Sequence, residues 1–226
     1  MSCLVLLSGG MDSATCAALA IKEYGADNVG ALGFYYGQRH TVENISAQHV
    51  AEALGIRAIE FVDLRSIFAG AGSVLIGSDR MMPHQSYEEL RAEQGPSPTY
   101  VPIRNAVFMT IASAKALIGG YSTVYIGVHA DDSRHDAYPD CRSDAIGAIA
   151  AGIHIGSYYE VQVKAPLQYM TKADIARTGH ELGVPFNLTL SCYEGTVPAC
   201  GTCPTCVSRL EAFRQAGLVD PIAYRQ

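Results

Sequence analysis

Apolar residues fall into short runs along this chain, separated by stretches with helical spacing. Five runs read as strands: Cys3–Leu7, Val29–Tyr35, Ala58–Val62, Thr123–Val128 and Glu160–Lys164. Runs of this length, between turn residues, are expected of strands. Between them lie amphipathic segments. Asp12–Tyr24 has good helix composition, and Val42–Leu54 reads as a helix with Thr41 as N-cap and Gly55 as C-cap. Arg104–Ile118 reads as a long buried helix ending at Gly119-Gly120. Thr171 caps a further helix with Asp174 at N3, and Gly183 and Pro185 stop it. A last helix runs from Pro204 to about Ala216, with Gly217 beyond it. This alternation predicts βαβ units and a parallel sheet. Residues 65–102 break it, with many glycines and prolines. A short helix over Tyr87–Ala92 and a lid or oligomer-contact role are expected there.

The turn after the first strand is Ser8-Gly9-Gly10-Met11-Asp12-Ser13. A strand, a glycine turn and a helix aim backbone N–H groups at a phosphate, and the helix start adds partial positive charge. The sequence is neither a Walker A loop nor a dinucleotide fingerprint. It resembles the signature of the PP-loop ATP pyrophosphatases, which implies transfer of AMP to an acceptor oxygen.

Composition narrows the field. The 226 residues suffice for one α/β domain plus an appendage, and 49% are apolar. No run is long enough to span a bilayer, and Met1–Leu7 lacks the basic start of a signal peptide. A cytoplasmic, membrane-free chain is expected. The net charge of −6, with no basic run, argues against gripping nucleic acid by its phosphates.

Of seven cysteines, Cys192, Cys200, Cys203 and Cys206 crowd the C-terminal end. Cys200-Gly201-Thr202-Cys203 reads as a knuckle. Four thiolates suit a structural, tetrahedral zinc; an iron–sulfur cluster is the alternative. Cys3 and Cys16 read as small core residues. Cys141 is either a nucleophile or a pocket-lining residue.

Further segments carry a closer resemblance. They are Tyr36-Gly37-Gln38-Arg39-His40, Val101-Pro102-Ile103-Arg104-Asn105, Gly127-Val128-His129-Ala130, Tyr138-Pro139-Asp140-Cys141-Arg142, Lys172-Ala173-Asp174-Ile175 and Ser191-Cys192-Tyr193. In this order, with the Ser8–Ser13 loop, they resemble the 7-cyano-7-deazaguanine synthase family of the queuosine pathway. The resemblance implies an α/β, Rossmann-like, doubly wound, parallel five-stranded sheet of the PP-loop type with a C-terminal zinc-binding tail. It implies an ATP-binding domain over residues 1–190, interrupted by 65–102, and a zinc segment over 191–226. It also implies an ATP-dependent carbon–nitrogen ligase that turns 7-carboxy-7-deazaguanine and ammonia into the nitrile. An enzyme that stops at the amide, or joins another amine, is the alternative.

On this reading Leu7, Ser8, Gly9, Gly10, Met11, Asp12, Ser13, Ala14, Thr15, Cys16 and Ala17 hold ATP, with magnesium. Asp12, Ser13, Arg104 and Lys164 are the candidate catalytic residues. Asp12 either assists the metal or simply complements the helix dipole. Arg39, His40, Arg104, Asn105, His129, Asp140 and Arg142 are the candidates for the substrate. Arg39, Arg104, Arg142 and Lys164 are the cations available for its carboxylate. The chain departs from the family pattern at Ile103, where glycine is expected, and in a longer 131–137 stretch. A homodimer is expected.

Overall fold

Alternate residues of the first strand feed two different cores, and this sets the architecture. The computed structural model describes residues 1–39, 41–76, 81–85, 87–92, 97–133 and 138–225. The strands are β1 (Cys3–Leu6), β2 (Val29–Tyr35), β3 (Ile59–Asp63), β4 (Thr123–Tyr125) and β5 (Gln162–Lys164). They form one parallel sheet in the order β3-β2-β1-β4-β5. Leu4 and Leu6 point to one face, with Leu32, Phe34, Val124 and Ile126. Cys3, Val5 and Leu7 point to the other, with Val29, Ala31 and Tyr125. That is the two-residue period of a strand buried on both sides.

The helices are α1 (Met11–Tyr24), α2 (Val42–Ala53), α3 (Arg65–Phe68), α4 (Tyr87–Ala92), α5 (Arg104–Gly119), α6 (Ala130–Ser133), α7 (Ser143–Gly156), α8 (Lys172–Glu181) and α9 (Pro204–Ala216). Side chains of α1, α2 and α8 fill one core, and those of α5 fill the other. The capping box of α8 is made: Asp174 N–H donates to Thr171 Oγ1 at 3.2 Å, and Thr171 N–H donates to Asp174 Oδ2 at 3.0 Å. Thr41 stands at the N-cap of α2, but its side chain makes no capping bond, and the C-cap is Leu54, one residue before Gly55. Helix α7 has no counterpart in the sequence reading. Gly147, Gly152 and Gly156 lower its intrinsic propensity, and of its apolar side chains only Ile146 is fully buried.

β4 ends three residues earlier than its apolar run. Ile126 N–H still donates to Lys164 O at 3.0 Å, and the chain then peels away through Gly127 and Val128. The segment after β3 docks on the C-terminal tail. The Tyr87 and Tyr193 hydroxyls lie 2.8 Å apart, and His84 Nδ1 lies 2.8 Å from Thr202 Oγ1. Among the described residues no helix is long and apolar enough to cross a membrane.

Candidate active site

In an open parallel sheet, ligands bind where neighbouring crossovers leave in opposite directions. Here that point lies between β1 and β4. A cavity of about 230 Å³ opens there, lined at one end by Ser8, Gly10, Asp12, Ser13, Gly127 and Lys172. Its other end is lined by Tyr36, Gln38, Glu43, Asn44, Arg104 and Phe108. Leu190, just before the tail, and Ser191, Tyr193 and Thr205 within it form part of the wall.

The phosphate-loop end is built by close backbone approach. Gly9 has φ +85°, and a Cβ there would run into Glu43 O and lie 2.6 Å from Ala47 N. A Cβ on Gly127 would lie 3.3 Å from Ser13 Cα. Ser13 Oγ donates to Gly10 O at 3.1 Å and sits 3.1 Å from Ser8 Oγ, which cinches the loop. The N-cap of α1, Gly10, makes no side-chain capping bond. First-turn N–H groups left without a side-chain cap suit an anion. Leu190 N–H donates to Gly9 O at 2.9 Å, which ties the loop to the segment leading into the tail.

Behind the loop sits a charge cluster. Asp12 Oδ2 lies 3.1 Å from Lys172 Nζ and 3.7 Å from His129 Nε2, which is itself 3.3 Å from Asp132 Oδ2. Burial opposes ionisation of Asp12, but Lys172 and His129 outweigh it and hold the carboxyl well below its usual range. Burial likewise disfavours the charged forms of His129 and Lys172, and the two aspartates more than offset it, raising both. Asp12 Oδ1 is buried with no hydrogen-bond partner among the described residues.

The other end carries opposite charges that do not meet. Arg104 lies over the Tyr36 ring, 5.3 Å from its centroid, with Nη1 donating to the Tyr36 hydroxyl at 3.5 Å. Among the described residues no carboxylate lies within 4.0 Å of it. Glu43 is half-buried. Burial pushes its carboxyl up to about 7 against the pull of Arg104. Asn105 is buried and lines the same space, with Nδ2 donating to Cys141 Sγ at 3.1 Å. Cys141 lines the cavity, and burial pushes its thiol up, which disfavours the thiolate.

The sequence candidates divide by place. Leu7, Ser8, Gly10, Asp12, Ser13, Arg104 and Asn105 line the cavity. Met11, Ala14, Thr15, Cys16 and Ala17 are buried on the inner side of α1. His129 stands behind Asp12. Asp140 does not line the cavity: its carboxylate accepts from Asn105 N–H at 2.9 Å and so caps α5. Arg39 and Arg142 are exposed outside it, Arg142 beside Asp144 at 2.9 Å. Lys164 also lies away from it, bonded to Glu23 Oε1 at 2.8 Å and to the Tyr24 hydroxyl at 3.1 Å. Glu23 is eleven residues beyond Asp12 on α1, about 16 Å at 1.5 Å per residue. His40 lies outside the described residues, as do residues 134–137 of the longer stretch. Glu43, Lys172, Asp132 and Tyr193 line the cavity without having been singled out as site residues. Lys172 opens the Lys172-Ala173-Asp174-Ile175 segment, and its place at the first turn of a capped helix was the available signal.

The Sγ atoms of Cys192, Cys200, Cys203 and Cys206 all lie within 4.8 Å of one another and form a group able to hold a metal ion. Cys200 and Cys206 Sγ are 3.8 Å apart. A tetrahedron with metal–sulfur bonds of about 2.3 Å has edges of about 3.8 Å. Backbone N–H groups of Cys200 and Cys203 donate to Cys192 and Cys200 Sγ at 3.4 and 3.3 Å.

Comparison with known proteins identifies the family. Residues 2–217 match the family described as queuosine biosynthesis protein QueC. The chain is 42% identical over 228 residues to the 7-cyano-7-deazaguanine synthase of Thermoplasma acidophilum, covering 99% of this chain and 92% of that protein. It is 44% identical over 217 residues to the enzyme of the same name from Aquifex aeolicus, covering 93% and 95%. Among solved structures, NMN synthetase from Francisella tularensis aligns with a TM-score of 0.51 at 15% identity, over 96% of this chain and 78% of that one. That likeness concerns the fold alone. On the family match and both relatives, this chain belongs to the QueC family of queuosine biosynthesis proteins.

Proposed function

We propose that the chain converts 7-carboxy-7-deazaguanine and ammonia into 7-cyano-7-deazaguanine in the cytoplasm, with two molecules of ATP. One observation carries this reading. The cavity joins an anion-binding loop to Arg104, a half-buried cation with no carboxylate partner among the described residues. A phosphate chain at one end and a carboxylate at the other satisfy both.

Ser8, Gly9, Gly10, Asp12 and Ser13 hold the phosphates, and Arg104 holds the substrate carboxylate near the α-phosphorus. A carboxylate oxygen is a poor leaving group, and joining it to AMP with release of pyrophosphate makes it a good one. Ammonia then displaces AMP to give the amide. The amide oxygen is adenylated in turn, its nitrogen losing a proton. Departure of AMP with the last N–H proton leaves the nitrile. Lys172 steadies Asp12 while negative charge builds on the departing pyrophosphate. Magnesium, which the unpartnered Asp12 Oδ1 suits, would supply further neutralisation of that charge.

The four-cysteine group is proposed to hold one structural zinc ion, closed to catalytic water. Metal analysis of Cys203→Ser should show loss of zinc together with solubility; retention of both excludes this role. A homodimer through the end of α7 and the turn after it is proposed as well, because Ile155, Tyr158 and Tyr159 are exposed there. The reaction is tested with purified protein, ATP, magnesium, ammonium and the acid. Pyrophosphate release and a nitrile by mass spectrometry are expected. Absence of acid-dependent ATP turnover defeats the assignment, and accumulation of amide favours the shorter reaction.

A further inference from the structure

Glu43 has no task in the phosphoryl chemistry. Three carboxylates line the cavity, and two of them, Asp12 and Asp132, are engaged by Lys172 and His129. Glu43 is the third, and it makes no hydrogen bond or ion pair with the described residues. It stands in the first turn of α2, and its own carbonyl oxygen packs on Gly9. This fixes its position relative to the phosphate loop. Its neighbour Asn44 is 5% exposed and lines the same wall. Asn44 Oδ1 accepts from Gln38 Nε2 at 3.3 Å, while Nδ2 is buried with no partner among the described residues. An ionised carboxylate only accepts, and an amide NH₂ only donates. Side by side, they complement a ring edge that presents two N–H donors next to a carbonyl oxygen. Tyr36 and Phe108 give this end flat walls, their ring centroids 5.6 Å apart.

We propose that Glu43 is the specificity-determining residue for the base, its carboxylate accepting N1–H and an N–H of the exocyclic 2-amine while Arg104 holds the acid group. The proposal rests on the reaction given above and deepens it. A site built to accept from a substrate N–H discriminates strongly against the analogue that lacks it, because its own acceptor is then stranded.

The test compares 7-carboxy-7-deazaguanine with the same acid lacking the 2-amino group, in wild type and in Glu43→Gln. The glutamine is isosteric but turns an NH₂ or a weaker acceptor toward the ring. Wild type should prefer the amino-bearing ring by roughly a hundredfold in kcat/KM. Glu43→Gln should reduce that preference to below about tenfold, mainly through KM, with ATP affinity unchanged. An unchanged ratio in the variant overturns the proposal, as does a wild type that uses both rings equally. Equal loss of kcat on both rings would place Glu43 in the chemistry instead, and also overturns it. If wild type turns over neither acid, the reaction itself fails; if it turns over the amino-bearing acid with no dependence on Glu43, only the ring-reading role fails.

Discussion

The two ends of the cavity handle charge in opposite ways. At the phosphate-loop end the charged side chains are already paired, Asp12 with Lys172 and His129 with Asp132, and backbone amides remain for the ligand. At the ring end Arg104 and Glu43 stand in the same cavity without touching each other. The first end is pre-neutralised, and its geometry is fixed before any ligand arrives. The second keeps a cation and a carboxyl group that make no ion pair among the described residues, which suits the proposed acceptor. Backbone binding suits a phosphate chain common to many enzymes, whereas unpaired side chains suit one particular acceptor.

Breaking the ring end should have the largest effect. Arg104→Met removes a charge-assisted hydrogen-bonding group from a poorly solvated site, a loss of about 4 kcal/mol. This predicts a fall of roughly 10³-fold in kcat/KM for the acid, with nucleotide affinity within about threefold of wild type by calorimetry. Gly9→Ala attacks the other end. It combines a left-handed backbone with contact against Glu43 O and Ala47 N, for about 3 kcal/mol of strain. Nucleotide binding and thermal stability should fall together, in contrast to Arg104→Met.

Lys172→Met leaves Asp12 buried without its cation. Because the Asp12 side chain is 23% exposed, the expected cost is about 2 kcal/mol, below that of a fully buried pair. The pH dependence identifies the pair. The folded-state pKa of Asp12 is depressed, so its contribution is fully present above the unfolded value of about 4 and is lost as the pH falls below that. Urea melts of wild type should show this acid loss, and Lys172→Met should show less of it. The smallest effect is a gain. Ile103, a β-branched residue at φ +53° and 59% exposed, precedes α5 at the rim. Ile103→Gly should raise stability by about 1 kcal/mol in the same melts, net of the glycine's greater unfolded-state entropy.

The same contrast explains what the sequence disclosed. The phosphate loop, the Thr171–Asp174 box and the four cysteines were legible because each is assembled from neighbours in the chain. Five strand positions and their parallel pairing followed from apolar runs. The ring end was legible only in part, since it joins the first turn of α2 to the first turn of α5 through tertiary packing. Position at a strand end selected Lys164, but such a rule does not say which face the side chain takes. Lys164 pairs in register with Tyr125, on the face covered by α1. Asp140 was singled out as a base reader and is engaged as a cap for α5, a role no local pattern announces. Helix α7 escaped because its glycines argue against a helix that tertiary packing nevertheless forms. Ile103, where the resemblance led to an expectation of glycine, stands in a left-handed backbone that glycine adopts at less cost.

The bond from Leu190 N–H to Gly9 O has a consequence for the newborn chain. The loop leaves the ribosome long before Leu190, the residue that braces it, is made. At about 5–20 residues per second, roughly ten to thirty-five seconds separate the two. During that time the loop is without its brace. A chain interrupted before Leu190 should therefore hold nucleotide more weakly than the full chain.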